Sequence, residues 1–446
     1  MSKSKVSDHW KEKAILGYAL RLFGSTFRVL ANLALFLAPF GCLFLVAYLL
    51  KRPDVTEPLF GLAGIAAITA IAVVYVSVRG RVVKPSKRED DSESSYSATD
   101  QMLHRLALEN QFVMRRGLAL EARRLSDEHL SAAQNGAHVF VAGLARAGTT
   151  ALTRGLFSTG AFASLTYRDM PFVLAPNIWA KWGRRDKASI ALRERAHGDG
   201  ILVDLDSPES LEEPFWQFKL GSDYIKGDRL VPHAVSDDIG AAYQAYVGSI
   251  LKRYSKTRYL AKNNNAVLRT DALLGQFSNA HVLVPFRHPV DHAQSLLKQH
   301  KRFRAHTDPF TTDYMKMLAH YEFGARMKPF VIDGDVPQGD PDTLEYWLHQ
   351  WLIVYSYLGQ KVEQDKTGRM HLLCYEDVCD PSAETWTRLL TELDLGAPEF
   401  PFKNKNNPSK TAAEPLRHAD DAFALYDRMR NRSCGHDAQV TKEIPA

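Results

Sequence analysis

Residues 138–157 read HVFVAGLARAGTTALTRGLF, and few folds can accommodate such a stretch. An apolar, β-branched run ends in a glycine-bounded loop, which passes at once into residues with helical apolar spacing. The pattern predicts a buried strand over 138–142, a loop over 143–148 and a helix opening at Thr149. The loop N–H groups point inward, and the macrodipole of the helix adds fractional positive charge where they converge. The segment is therefore an anion cradle with a cation, Arg146, built into its loop.

A chain of 446 residues has room for one large α/β domain with appendages, or for two modest domains. Its 45% hydrophobic and 24% charged content excludes a disordered chain. The formal charge of +5 suits an anionic ligand or an anionic membrane surface, and is too small to argue for nucleic acid. The four cysteines (Cys42, Cys374, Cys379 and Cys434) form no C-x-x-C pair, which argues against disulfides and zinc and for a reducing compartment.

Residues 1–28 form a basic amphipathic segment, either an interfacial helix on anionic lipid or the flank of a membrane span. Residues 29–50 carry no charge over a length that crosses a bilayer, and 59–78 repeat this with many small residues. A cleaved signal peptide fits poorly, because the first run is long and a second follows directly. The expectation is a two-helix transmembrane hairpin over 29–82. Arg79, Arg81, Lys84, Lys87 and Arg88 follow it, whereas the turn holds only Lys51 and Arg52. The positive-inside rule then places both ends, and the large C-terminal region, in the cytoplasm. Beyond the hairpin come a charged, Ser-rich linker (83–100), a helical lead-in (101–136), the catalytic body (137–411) and a C-terminal helix with its tail (412–446).

Within the body, residues 162–167 read as a short strand ending in Arg168-Asp169, a place where α/β sheets bind ligands. Ser207-Pro208-Glu209 followed by Glu212 and Glu213 reads as a helix start whose acids complement the dipole. Residues 281–286 read as a buried strand, followed by a turn and a helix from 290. Arg287 thus stands at a strand end and Ser295 on the next helix, facing one crevice and suited to hold a second phosphate. The aromatic stripe Trp347, Trp351, Ile353 and Tyr355 is either core or the edge of an apolar groove.

The spacing Gly143…Gly148-Thr149-Thr150 resembles the Walker A loop, except that Thr149 replaces the lysine that reaches the terminal phosphates of a nucleotide triphosphate. Taken with the second segment, the chain resembles the PAPS-dependent sulfotransferases of bacterial and Golgi type over roughly residues 138–410. Their first motif, [K/R]-x-G-[S/T]-T, matches Arg146, Ala147, Gly148, Thr149 and Thr150. Their second, R-x-P-x-D-x-x-x-S, matches Arg287, Pro289, Asp291 and Ser295. Lys262-Asn263 and the strand end Tyr375-Glu376-Asp377 are similar to lesser family features.

The resemblance implies a P-loop-like, three-layer α/β domain with a mainly parallel central sheet. It also implies 3′-phosphoadenosine 5′-phosphosulfate (PAPS) as co-substrate, with PAP as product. Arg146 to Thr150 would take the 5′ end and Arg287 with Ser295 the 3′-phosphate. Lys262 would assist from the other wall. A carboxylate or a histidine would take the acceptor proton: Asp169 first, with Glu213 (beside Glu212) and His197 in reserve. No metal is expected, since the acids lie scattered and no histidine pair has ligand spacing. The expected acceptor is a hydroxyl or amine on a lipid, a lipid-linked glycan or another membrane-proximal molecule. The rivals are a P-loop kinase or NTPase, and an inactive nucleotide-binding membrane scaffold.

Overall fold

The structure, a computed structural model, describes residues 98–182, 193–194, 202–203, 205–305, 308–396, 400–402 and 415–434. The expected hairpin over 29–82, the segment 1–28 and His197 lie outside them. Among the described residues no helix is long and apolar enough to cross a membrane.

Helices α1 (Ala98–Leu108), α2 (Gln111–Ala122) and α3 (Asp127–Asn135) lead into β1 (Val139–Val141). Next come α4 (Thr149–Ser158), β2 (Phe162–Ala163), α5 (Pro176–Trp182), the antiparallel pair β3 (Arg193–Glu194) and β4 (Leu202–Val203), α6 (Glu213–Tyr224) and α7 (Asp237–Tyr254). The central part holds β5 (Arg258–Lys262), α8 (Thr270–Gln276), β6 (His281–Phe286), α9 (Pro289–Ala305) and α10 (Pro309–Met317). The chain closes with α11 (Leu344–Gln364), β7 (Met370–Cys374), α12 (Tyr375–Val378), α13 (Thr385–Glu392) and α14 (Ala419–Asn431).

The main sheet runs in the order β2-β5-β1-β6-β7 with every pair parallel. Parallel sheets need cover on both faces, and the strands supply apolar residues to each in alternation. Val139 and Val141, with Leu260 and Leu283, pack under Leu152 and Leu156 of α4 and Trp386 and Leu389 of α13. Phe140 and Ala142, with Ala261 and Val282, face a larger core built on Tyr243, Val247 and Ile250 of α7 and Trp351 of α11. The result is helix, sheet and helix in three layers. Trp347, Trp351, Ile353 and Tyr355 are all buried, and the Tyr355 hydroxyl donates to the Pro285 carbonyl at 2.9 Å, so the stripe is core.

Helix α14 packs on α11 and β7, and adds Leu425, Tyr426 and Met429 to that larger core. The helix expected to open near Pro208 opens instead at Glu213. Pro208 forms an antiparallel bridge with Thr166, and the Glu209 N–H donates to the Leu165 carbonyl at 3.2 Å. Residues near 205–209 are thereby drawn alongside the end of β2. Because the strands are parallel, their C-terminal ends and the loops that follow them share one edge of the sheet.

Candidate active site along the strand ends

The cradle forms where β1 gives way to α4. Arg146 and Gly148 both take left-handed backbone conformations, with φ of 72° and 87°. Only glycine adopts that region without strain, and a residue such as arginine is held there at a cost of about 1–2 kcal/mol. These two reversals turn the loop into a concavity in front of α4, with Thr149 and Thr150 buried at the helix start. Gly148 has no room for a side chain, because an added Cβ would lie 2.3 Å from the Tyr375 ring. Below the loop, His292 Nε2–H donates to the Ala145 carbonyl at 2.8 Å. Burial drives His292 down to about 3, with the Arg287 and Arg146 cations acting in the same direction, so the ring is neutral and serves as a loop prop.

The two segments that the resemblance assigns to phosphates meet. Arg146 Nε donates to Ser295 Oγ at 3.2 Å, across 149 residues of sequence. Ser295 is brought there by α9, which starts directly after β6, the neighbour of β1. Arg287, at the end of β6, lies over the Tyr375 ring at 5.3 Å from its centroid. Its Nε stands 3.9 Å from Glu376 Oε1, and the same oxygen accepts the His288 N–H at 3.1 Å. Tyr375 thus separates Gly148 from Arg287 and forms a wall common to both.

On the other side of β1 lies β5, in register Val141↔Lys262. Lys262 therefore leaves the sheet level with the root of the cradle, one strand away. Its Nζ donates to Glu209 Oε1 at 3.1 Å, and the Tyr167 hydroxyl donates to Glu209 Oε2 at 3.2 Å. A row of charged and hydrogen-bonding groups follows the sheet edge: Glu209, Lys262, Arg146 with the loop, then Arg287 with Ser295. Such a row accepts an extended polyanion at one end and offers a carboxylate at the other.

A family model described as the sulfotransferase family matches residues 138–399, more than half of the chain. The chain belongs to the sulfotransferase family. Several solved structures are similar to it. The sulfotransferase STF1 from Mycobacterium tuberculosis is 15% identical with a TM-score of 0.38, over 70% of this chain and 81% of that one. STF9 from Mycobacterium avium is 15% identical with a TM-score of 0.39, over 69% and 76%. A sulfotransferase from Alicyclobacillus acidocaldarius is 11% identical with a TM-score of 0.32, over 69% and 97%. A search of curated proteins finds no match.

In this sulfotransferase the acids expected to serve as base are buried and held by other side chains. Asp169 is 1% exposed and closes a capping box on the 3₁₀ turn 167–169. Its Oδ2 accepts the Thr166 N–H at 3.0 Å and the Tyr254 hydroxyl, and Arg253 Nε stands 3.5 Å from Oδ1. Burial raises its pKa against the pull of Tyr254 and Thr166. The carboxylate clasps α7 to the end of β2 and is closed off from solvent. Its neighbour Arg168 forms a two-pronged pair with Asp206, at 2.6 Å on each arm.

Glu213 is likewise structural. Arg269 holds both of its oxygens at 2.9 Å, while Tyr224 and Asn263 donate to the same carboxylate. Burial would raise its pKa, but the Arg269 guanidinium outweighs burial and lowers it. Arg269 in turn lies between the Trp216 and Tyr224 rings, at 4.7 and 4.9 Å. Glu212 is fully inside as well, accepting from Tyr243 at 2.6 Å and Tyr259 at 3.0 Å. Sequence reasoning passed over Glu209 because it looked like a dipole complement at a helix start. The signal that could have found it was Pro208, which is as suited to an edge bridge as to a first helical turn.

Proposed function

We propose that this chain transfers the sulfuryl group of PAPS to a hydroxyl or amine of a lipid, a glycan or another membrane-proximal acceptor. The observation that carries this reading is the direct contact of Arg146 with Ser295, since it joins a 5′-phosphate cradle to a 3′-phosphate pocket beside Arg287. A doubly phosphorylated adenosine needs a second cationic grip beside the loop, which a triphosphate hydrolase does not. In the reaction the acceptor oxygen attacks sulfur in line and the 5′-phosphate departs. As in phosphoryl transfer, the protein mainly positions groups and neutralises spreading charge. Arg146, the loop N–H groups and Thr149 stabilise the charge gathering on the bridging oxygen, and Lys262 faces the sulfate from the β5 side. The membrane-proximal acceptor follows from the hairpin expected over 29–82, which would concentrate the protein at a bilayer.

Calorimetric titration with PAP, together with transfer of radiolabelled sulfate from PAPS, tests the donor. Arg287→Ala is expected to weaken PAP binding by about 1.5–3 kcal/mol, the worth of a charge-assisted hydrogen bond. That loss corresponds to roughly 10- to 150-fold in affinity. Preference for ATP with Mg²⁺ over PAP would replace this reading with a kinase or NTPase. Tight PAP binding without turnover would replace it with a scaffold.

A further inference from the structure

If the donor lies as just proposed, on which this inference rests, its sulfate end faces the β5 side of the cradle, where two carboxylate–cation pairs stand. One is Glu209 with Lys262, at 3.1 Å and each 10% exposed. The other is Glu322 with His320, at 3.2 Å, with Asn264 Nδ2 donating to the same Glu322 oxygen at 2.7 Å. The two pairs feel each other's charge, so they share one neighbourhood. They are not equivalent.

Glu322 would be raised by burial but is brought down to about 2, chiefly by His320. His320 would be lowered by burial and is instead raised by Glu322. That pair is closed on itself: the His320 ring and the Asn264 amide both engage the same Glu322 oxygen. Glu209 is held differently. The Tyr167 hydroxyl donates to its Oε2 and the Ser210 N–H, at 3.0 Å, to its Oε1. Lys262, a cationic partner of this carboxylate, leaves β5 level with the root of the cradle, one strand away.

We infer that Glu209 is the general base of the sulfuryl transfer, aimed by Tyr167 and coupled to the donor through Lys262. With PAPS seated, the ammonium turns from the carboxylate to the sulfate oxygens. The acceptor O–H bond then breaks with its proton passing to a Glu209 oxygen. The acceptor oxygen's electron pair forms the new O–S bond as the S–O bond to the 5′-phosphate breaks. That second pair stays on the phosphate oxygen, leaving PAP, and Glu209 returns its proton to solvent. The lysine thus ties base to donor.

The test uses the full chain in lipid nanodiscs with PAPS and three acceptors: water, n-octyl β-glucoside and 4-nitrophenol. PAP release is the readout, and PAP affinity is measured alongside. Glu209→Gln is expected to leave PAP affinity unchanged and to lower kcat for the aliphatic glucoside by about 10²–10³-fold. Transfer to 4-nitrophenol should fall far less, because that phenol is largely ionised near neutral pH and needs no base. Tyr167→Phe should give a smaller loss with the same acceptor bias. Equal losses on both acceptors, unchanged turnover of the glucoside, or a fall in PAP affinity matching the fall in kcat would each overturn the assignment. Failure of the donor reading looks different: wild-type protein that does not bind PAP, or that binds it and releases none from PAPS with any acceptor.

Discussion

Gly148→Ala is the sharpest probe of the cradle, because its effect can be worked from two separate geometric facts. The first is φ of 87°, which an alanine adopts at a penalty of about 1–2 kcal/mol. The second is the Tyr375 ring, whose Cδ2 and Cε2 would lie 2.3 and 2.6 Å from the new methyl. The ring has to swing away, and in doing so it leaves the Arg287 guanidinium, a contact worth about 1 kcal/mol. The sum is about 2–3 kcal/mol. If the free loop relaxes, PAP must rebuild the cradle and the loss appears as affinity, up to roughly 30- to 150-fold. If the loop cannot relax, the same free energy appears as lower folding stability.

Calorimetric PAP affinity and the denaturant midpoint, measured together, should therefore account for the total between them. Gly160→Ala supplies the control: its φ is 73° and nothing lies within 4 Å of an added Cβ. It should show the backbone penalty in stability and leave PAP binding alone. In a Tyr375→Ala background the cost of Gly148→Ala should shrink by about 1 kcal/mol, as a coupling energy between neighbours. Unchanged affinity and midpoint in Gly148→Ala would refute the reasoning, as would an identical cost with and without the tyrosine ring.

Two further outcomes bear on the interior. Arg269→Met strands the buried Glu213 carboxylate and should lower stability by about 3–5 kcal/mol, with Glu213→Met in the same chain restoring part of it. Wild-type stability together with lost turnover would instead return Glu213 to the reaction. His138 and His292 are both 0% exposed, and burial lowers them from 6.5 to about 4 and about 3. The unfolded chain takes up these protons below pH 6.5 while the folded chain does not, so stability is whole above pH 6.5 and falls as pH drops towards 4. The two rings together give a slope of about 2.7 kcal/mol per pH unit in that window. Denaturant midpoints at pH 7, 6 and 5 measure it, and a flat series contradicts it.

The cradle was legible because it is local. Strand, loop and helix N-terminus lie within residues 138–158, and backbone direction alone decides where their N–H groups point. Arg287 and Ser295 were legible for the same reason, as both sit on one strand-turn-helix unit. The surroundings of each candidate carboxylate were not local. Asp169, Glu209 and Glu213 are each an acid near the start of a helical turn or helix, and nothing within ten residues tells them apart. Tyr254 and Arg253 draw the first inward, Arg269 the third, and each partner lies more than fifty residues away. Glu209 is left at the edge because Thr166 bridges Pro208 and pulls its segment out beside β2.

The sequence by itself thus determined the strand, loop and helix of the cradle, since such a unit needs only a short run of backbone. Tertiary structure alone decided that Arg146 reaches Ser295, and which acid is spent holding the fold and which faces Lys262. The physical reason is burial: a carboxylate's role depends on whether water or a distant guanidinium solvates it, and only packing settles that.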